Sequence, residues 1–97
     1  MKVIWSPTSR DQLREIIAYI SLDNKRAAQA VKDHIHEVIG YLPHNPKIGR
    51  PGRVFGTREL VISKYPTYCI FYEVVDNTIH ILAVHHSARQ LPVLETE

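Results

Sequence analysis

TYCIFYEVVDNTIHILAVHH, residues 67–86, is the stretch that decides the fold. Residues 67–74 and 78–86 are rich in Val, Ile, Tyr and Phe, which suit a pleated, half-buried surface. Asp76-Asn77 lies between them and suits a tight turn, so the segment predicts an antiparallel hairpin. A third strand is expected at residues 58–63, parted from the hairpin by Tyr65-Pro66. Upstream of it runs a Pro/Gly-rich connector from Pro43 to Gly56.

The amino-terminal half has a different period. Lys2-Val3-Ile4-Trp5 reads as a short strand, and Ser6-Pro7 then supplies a cap and a first helical residue. Ser9, with Gln12 three residues on, is an alternative cap. Leu13, Ile16, Ile17 and Ile20 recur at helical spacing, with Arg10, Asp11, Arg14 and Glu15 on other faces. Asp23-Asn24 interrupts this helix and can cap a second one. That helix carries the stripe Ala27, Ala28, Val31, Ile35, Val38, Ile39 and Leu42, and Pro43 and Pro46 end it. So short a break predicts an antiparallel helical hairpin, with Ala27, Ala28 and Ala30 small enough for close approach. The expected fold is α+β, in the order β-α-α-β-β-β: an antiparallel sheet packed on one face by an N-terminal helical hairpin. Ninety-seven residues are expected to make one domain, 1–97.

Helices on one side leave the other face of the sheet free. Simple alternation puts His80, Leu82, Val84 and His86 on one face and Ile79, Ile81, Ala83 and His85 on the other. Both sets are fairly apolar, so one histidine belongs near the core and the other near the open face.

The net charge of +2 hides an uneven distribution. Lys47, Arg50, Arg53, Arg58 and Lys64 face only Glu59 within residues 44–64, whereas Arg89 stands against four acids in residues 65–97. A clustered basic segment attracts phosphates or an acidic partner, although solvated loops often look the same. The single Cys69 cannot form an internal disulfide and reads as a small buried residue, in keeping with a reducing compartment. The start MKVIWSPTSRD lacks the apolar run of a signal peptide, and no stretch is long enough to span a bilayer, so a cytoplasmic protein without membrane contact is expected. His34 and His36 point to different sides of a helix, and His85 and His86 to opposite faces of a strand. With no acidic cluster beside them, no metal and no cofactor is expected.

The run Gly49-Arg50-Pro51-Gly52-Arg53-Val54, followed by Gly56-Thr57-Arg58-Glu59-Leu60-Val61, resembles the central signature of the RelE/ParE toxins. Tyr68, Ile70 and Tyr72 resemble the family's Y-x-I-x-Y strand, and the run from His86 to Pro92 resembles its closing H-x-x-R-x-W-P, with Leu91 where an aromatic residue is usual. The resemblance extends from about Val3 to Pro92. It implies the toxin of a type II toxin–antitoxin system, neutralised by a cognate antitoxin whose own DNA-binding part makes any contact with operator DNA. An acidic antitoxin segment laid near Arg50, Arg53 and Arg58 would form charge-assisted hydrogen bonds.

The superfamily divides into two activities. Members similar to RelE are ribosome-dependent mRNA endonucleases, and that chemistry needs a base, an acid and cations around the phosphate. Here Arg58, His86 and Arg89 are the catalytic candidates, with Glu59 as an alternative base. Members similar to ParE poison DNA gyrase by binding, for which Arg50, Arg53, Tyr68 and Tyr72 are the candidate binding residues. The sparse lysines of the basic segment, and Glu95 and Glu97 near the end, tilt the reading toward gyrase. The bland reading of the same residues is a solvated loop, an Arg58–Glu59 surface pair and tyrosines that pack the sheet. An inactive toxin homologue is a lesser alternative, and a small RNA-binding domain is the rival from outside this class. It would need cations among the aromatics of residues 67–74, and there are none.

Overall fold

The computed structural model of the chain describes residues 1–62, 64 and 68–86. Five strands and two helices follow in the order β1 (Lys2–Trp5), α1 (Pro7–Asp23), α2 (Lys25–Tyr41), β2 (Arg50–Pro51), β3 (Thr57–Val61), β4 (Tyr68–Val75) and β5 (Thr78–His86). They form one sheet in the order β1-β5-β4-β3-β2. The expected α+β arrangement is there, with two additions. A short strand, β2, lies within the connector and pairs antiparallel with β3. At the other edge β1 runs parallel to β5, so the sheet is mixed and not wholly antiparallel as expected. The helical hairpin carries the chain across the sheet to its far edge, and β2, β3 and β4 lead back to β5.

Local chemistry explains the elements. Ser6 caps α1 by accepting from the Ser9 N–H, and Pro7 fills the first turn. Asn24 both ends α1 and caps α2, accepting from the Ala27 N–H at 3.0 Å. Asp76 and Asn77 both take positive φ, 50° and 59°, which matches the twist of a two-residue hairpin. Between the layers, Leu13 of α1 and Val31, Ile35 and Ile39 of α2 pack on Ile70, Tyr72, Ile79, Ile81 and Val84 of the sheet. Ala28 is buried, as close packing of the helices requires.

The alternation along β5 is broken. Phe71 pairs with Ala83 but Tyr72 pairs with Ile81, so Leu82 is an extra residue, a β-bulge. Ile79, Ile81 and Val84 therefore all reach the helix-covered core, while Ala83 joins Cys69 and Phe71 on the opposite face. Uninterrupted alternation would have separated Val84 from Ile79 and Ile81, and His86 moves with Val84 to the helix side. The bulge sits where β1 ends and the chain turns into α1. There the Ser6 N–H and the Ser9 hydroxyl both donate to the Ile81 carbonyl at 3.0 Å. The Ser6 hydroxyl donates to the Leu82 carbonyl at 3.2 Å, and the Val84 N–H donates to Gln12 Oε1 at 2.9 Å. The first turns of α1 thus take over the hydrogen bonding that β1 abandons.

Replacing Gln12 by Ala removes the acceptor for a part-buried backbone N–H and is expected to cost about 1–3 kcal/mol. Urea unfolding reads this as a lower midpoint at unchanged slope. A midpoint equal to that of the parent chain would show that Gln12 does not hold β5.

Candidate functional site

Glu59 is the centre of the basic segment. On β3 it points away from the helices, and it is only 3% exposed. A buried carboxylate needs compensation for lost water, and the preceding loop supplies it. Arg53 donates to it three times: from its backbone N–H at 3.0 Å and from Nε and a terminal nitrogen at 2.9 Å each. Arg50 adds a fourth bond at 3.2 Å. The Arg53 guanidinium also lies over the Phe71 ring, 5.2 Å from its centroid. The hydrogen bonds from Arg53 hold the Glu59 carboxyl down at about 2, and the same bonds raise the Arg53 pKa further. At neutral pH Glu59 is an ionised, fully engaged acceptor and not a base awaiting a proton.

Arg58 faces the other way, because neighbours on a strand point to opposite faces. It donates to the Gly49 carbonyl at 2.7 Å and to the Lys47 carbonyl at 3.4 Å, so the expected Arg58–Glu59 pair gives way to Arg50 and Arg53. Tyr72, expected as a binding residue, is buried. Its hydroxyl donates to the Pro46 carbonyl at 2.8 Å and accepts from the Gly49 N–H at 2.9 Å, which ties the connector to the sheet. Burial pushes its phenol up.

The remaining candidates lie elsewhere. His86 pairs in register with Tyr68, and their rings meet edge-on at 5.2 Å. Both line a groove of about 590 Å³ with Gln12, Tyr19 and Ile20 of α1. His85 turns to the opposite face and meets Phe71. Arg58 lies two strands from His86 and four residues along β4, roughly 16 Å between backbones. Arg89 and the rest of the closing motif lie outside the described residues. Arg50, Arg53, Glu59 and Phe71 are thus brought together, and Arg58, His86 and Tyr68 are not brought to them. Alternation alone could have excluded the Arg58–Glu59 pair. Nothing in the sequence marks the loop residues that clamp Glu59.

The face opposite the helices is also less free than expected. Cys69, Phe71 and Ala83 form a second buried cluster there with Leu82 beside it. Burial raises the Cys69 thiol, as a structural cysteine requires. Among the described residues no group of His, Cys, Asp and Glu is gathered as a metal set, and no helix is long and apolar enough to cross a membrane.

A helical hairpin seated on a β1-β5-β4-β3-β2 sheet is the fold that the resemblance to RelE/ParE-type toxins implies. A family model described as the ParE toxin of the type II toxin–antitoxin system parDE matches residues 3–91, and the chain belongs to this family. It is 37% identical over 91 residues to Y4kP, a toxin candidate of Sinorhizobium fredii, covering 94% of this chain and 93% of the relative. Toxin RelE2 of Caulobacter vibrioides is 32% identical over 88 residues, 91% of this chain and 97% of that protein. Among solved structures, the chromosomal ParDE system from P. aeruginosa contains a chain with a TM-score of 0.78 and 25% identity, covering 89% of this chain and 95% of that one. The YoeB dimer from Staphylococcus aureus shares the fold at a TM-score of 0.58 and 19% identity, with the same coverage.

The Glu59 cluster sets a pH dependence. Its folded pKa, near 2, lies below the ordinary 4.5, so the stability it lends is fully present above 4.5 and is lost as pH falls toward 2. With partly exposed guanidiniums, this contribution is on the order of 2–3 kcal/mol. Glu59→Gln is expected to lose it at neutral pH and to flatten the stability profile in the acid window. Parallel profiles for the two proteins would reject the assignment.

Proposed function

We propose that this toxin arrests growth by binding and poisoning DNA gyrase in the cytoplasm, and that a cognate antitoxin neutralises it by direct contact. The observation that carries this reading is the commitment of the polar groups that a nuclease would use. The Glu59 carboxylate is saturated by Arg53 and Arg50. Arg58 is tied to backbone carbonyls, and the Tyr72 hydroxyl is occupied on both sides. The backbones of His86 and Arg58 lie roughly 16 Å apart, and Arg58 turns to the connector instead of toward His86, so the two side chains would have to move to serve one phosphate. A binding toxin asks none of these groups to titrate. Membership of the ParE family and the likeness to a ParDE chain support the same target. The antitoxin partner is supported by the ParDE relative, which is described as a toxin–antitoxin system. Contact with operator DNA would then come through the antitoxin.

The 32% identity to Toxin RelE2 favours the second reading, ribosome-dependent cleavage of mRNA, in which Arg58, His86 and Arg89 would act.

Purified toxin added to gyrase is expected to inhibit supercoiling and to trap cleaved DNA, and to leave message intact in a reconstituted translation system. Inhibition should vanish when the antitoxin encoded beside it is added first. Intact gyrase activity with cleaved message on ribosomes would overturn the gyrase reading and favour the second.

A further inference from the structure

The loop between β2 and β3 ends in a fully exposed phenylalanine, Phe55. A lone exposed apolar side chain is ordinary, but this one stands on a scaffold. The Gly52 N–H donates to the Thr57 carbonyl at 2.8 Å. The Thr57 N–H and hydroxyl donate to the Val54 carbonyl at 3.1 Å and 2.7 Å. Gly56 takes a φ of 84°, in the left-handed region that favours glycine, and a Cβ on Gly52 would collide with the Thr57 hydroxyl oxygen. The Arg53 N–H is held by buried Glu59. Gly52, Arg53, Val54 and Thr57 around Phe55 are thus tied by hydrogen bonds, while the ring itself touches solvent. Rigid presentation of an aromatic side chain lowers the ordering cost of binding, and such residues carry much of the energy of protein interfaces.

We infer that Phe55 is the anchor by which this toxin docks on its protein target, entering an apolar pocket with an acidic rim. The inference rests on the binding reading above. Charge selects the occupant. Lys47, Arg50, Arg53 and Arg58 along this segment outnumber Glu59 and the Glu73 that pairs with Thr57, a net positive charge that steers toward an acidic surface. The guanidinium groups of Arg53 and Arg58 are engaged within the chain, which suits a protein rim better than phosphate forks.

The test is Phe55→Ala in the full chain, with Phe55→Leu beside it. Because the ring is fully exposed, both variants should keep the parental unfolding midpoint and bind the antitoxin as tightly as the parent. Phe55→Ala is expected to need about 30-fold more protein for half-inhibition of gyrase and to lose growth arrest, with Phe55→Leu between the two. Undiminished inhibition and growth arrest by Phe55→Ala would overturn the inference. So would an equal loss of antitoxin binding, or a matching loss of affinity for a single-stranded oligonucleotide, which would assign the ring to base stacking. If the parent chain leaves gyrase untouched, the gyrase reading fails by itself. Growth arrest then decides: a Phe55→Ala chain that still arrests growth refutes the anchor. One that does not, while binding antitoxin and oligonucleotide normally, upholds it for another protein target.

Discussion

The seat of α1 on the bulged stretch of β5 is the constraint from which the rest of the structure follows. A strand that ends at Trp5 leaves the next residues of β5 without a neighbour, and unpaired buried backbone is expensive. Ser6, Ser9 and Gln12 meet that need from one and a half turns of helix. In doing so they fix the start and direction of α1, and through the short Asn24 junction they fix α2 as well. The extra residue at Leu82 is what keeps Val84 with Ile79 and Ile81 on the core face. Without it, the helical hairpin would rest on Ala83 and lose much of the apolar area that β5 contributes.

The opposite side of the sheet is organised by a charge instead of an apolar stripe. A carboxylate as buried as Glu59 is tolerated only because four donors converge on it. Three of those donors belong to one residue, so burying the carboxylate and ordering the loop are one event. Arg53 also lies over Phe71, an aromatic ring buried on the face opposite α1 and α2. Tyr72 does the corresponding work on the helix side, where its hydroxyl anchors the connector near Pro46 and Gly49. A side chain on Gly49 would meet the Tyr72 ring and hydroxyl at 2.8 Å, so the close approach depends on that glycine.

The elements were legible in the sequence because each rests on local chemistry. Ser6-Pro7, Asn24 and Asp76-Asn77 announce two helices and a hairpin, and the stripe Val31, Ile35, Ile39 names the buried face. The register of β5 was not legible, because its run from Ile79 to Val84 is apolar on both faces and alternation cannot locate an inserted residue. The strand β2 was hidden in a Pro/Gly-rich connector, where its two residues are ordered by partners on β3. The cluster at Glu59 was half legible. Its charges were visible, but pairing depends on strand geometry, which sends Arg58 and Glu59 to opposite faces.

Why should a basic segment tie its arginines to its own chain? A phosphate-cleaving site profits from cations held near the substrate and free to follow charge as it develops. Arg53 and Arg58 are instead held by the chain itself, Arg53 through Nε and one terminal nitrogen and Arg58 through one terminal nitrogen. Their effect is mechanical: Arg53 locks the loop to β3, and Arg58 locks the connector that leads into that loop. Removing a charge from such a network changes shape before it changes chemistry. A surface whose cations serve as struts fits a protein that acts by presenting a fixed contour to a partner.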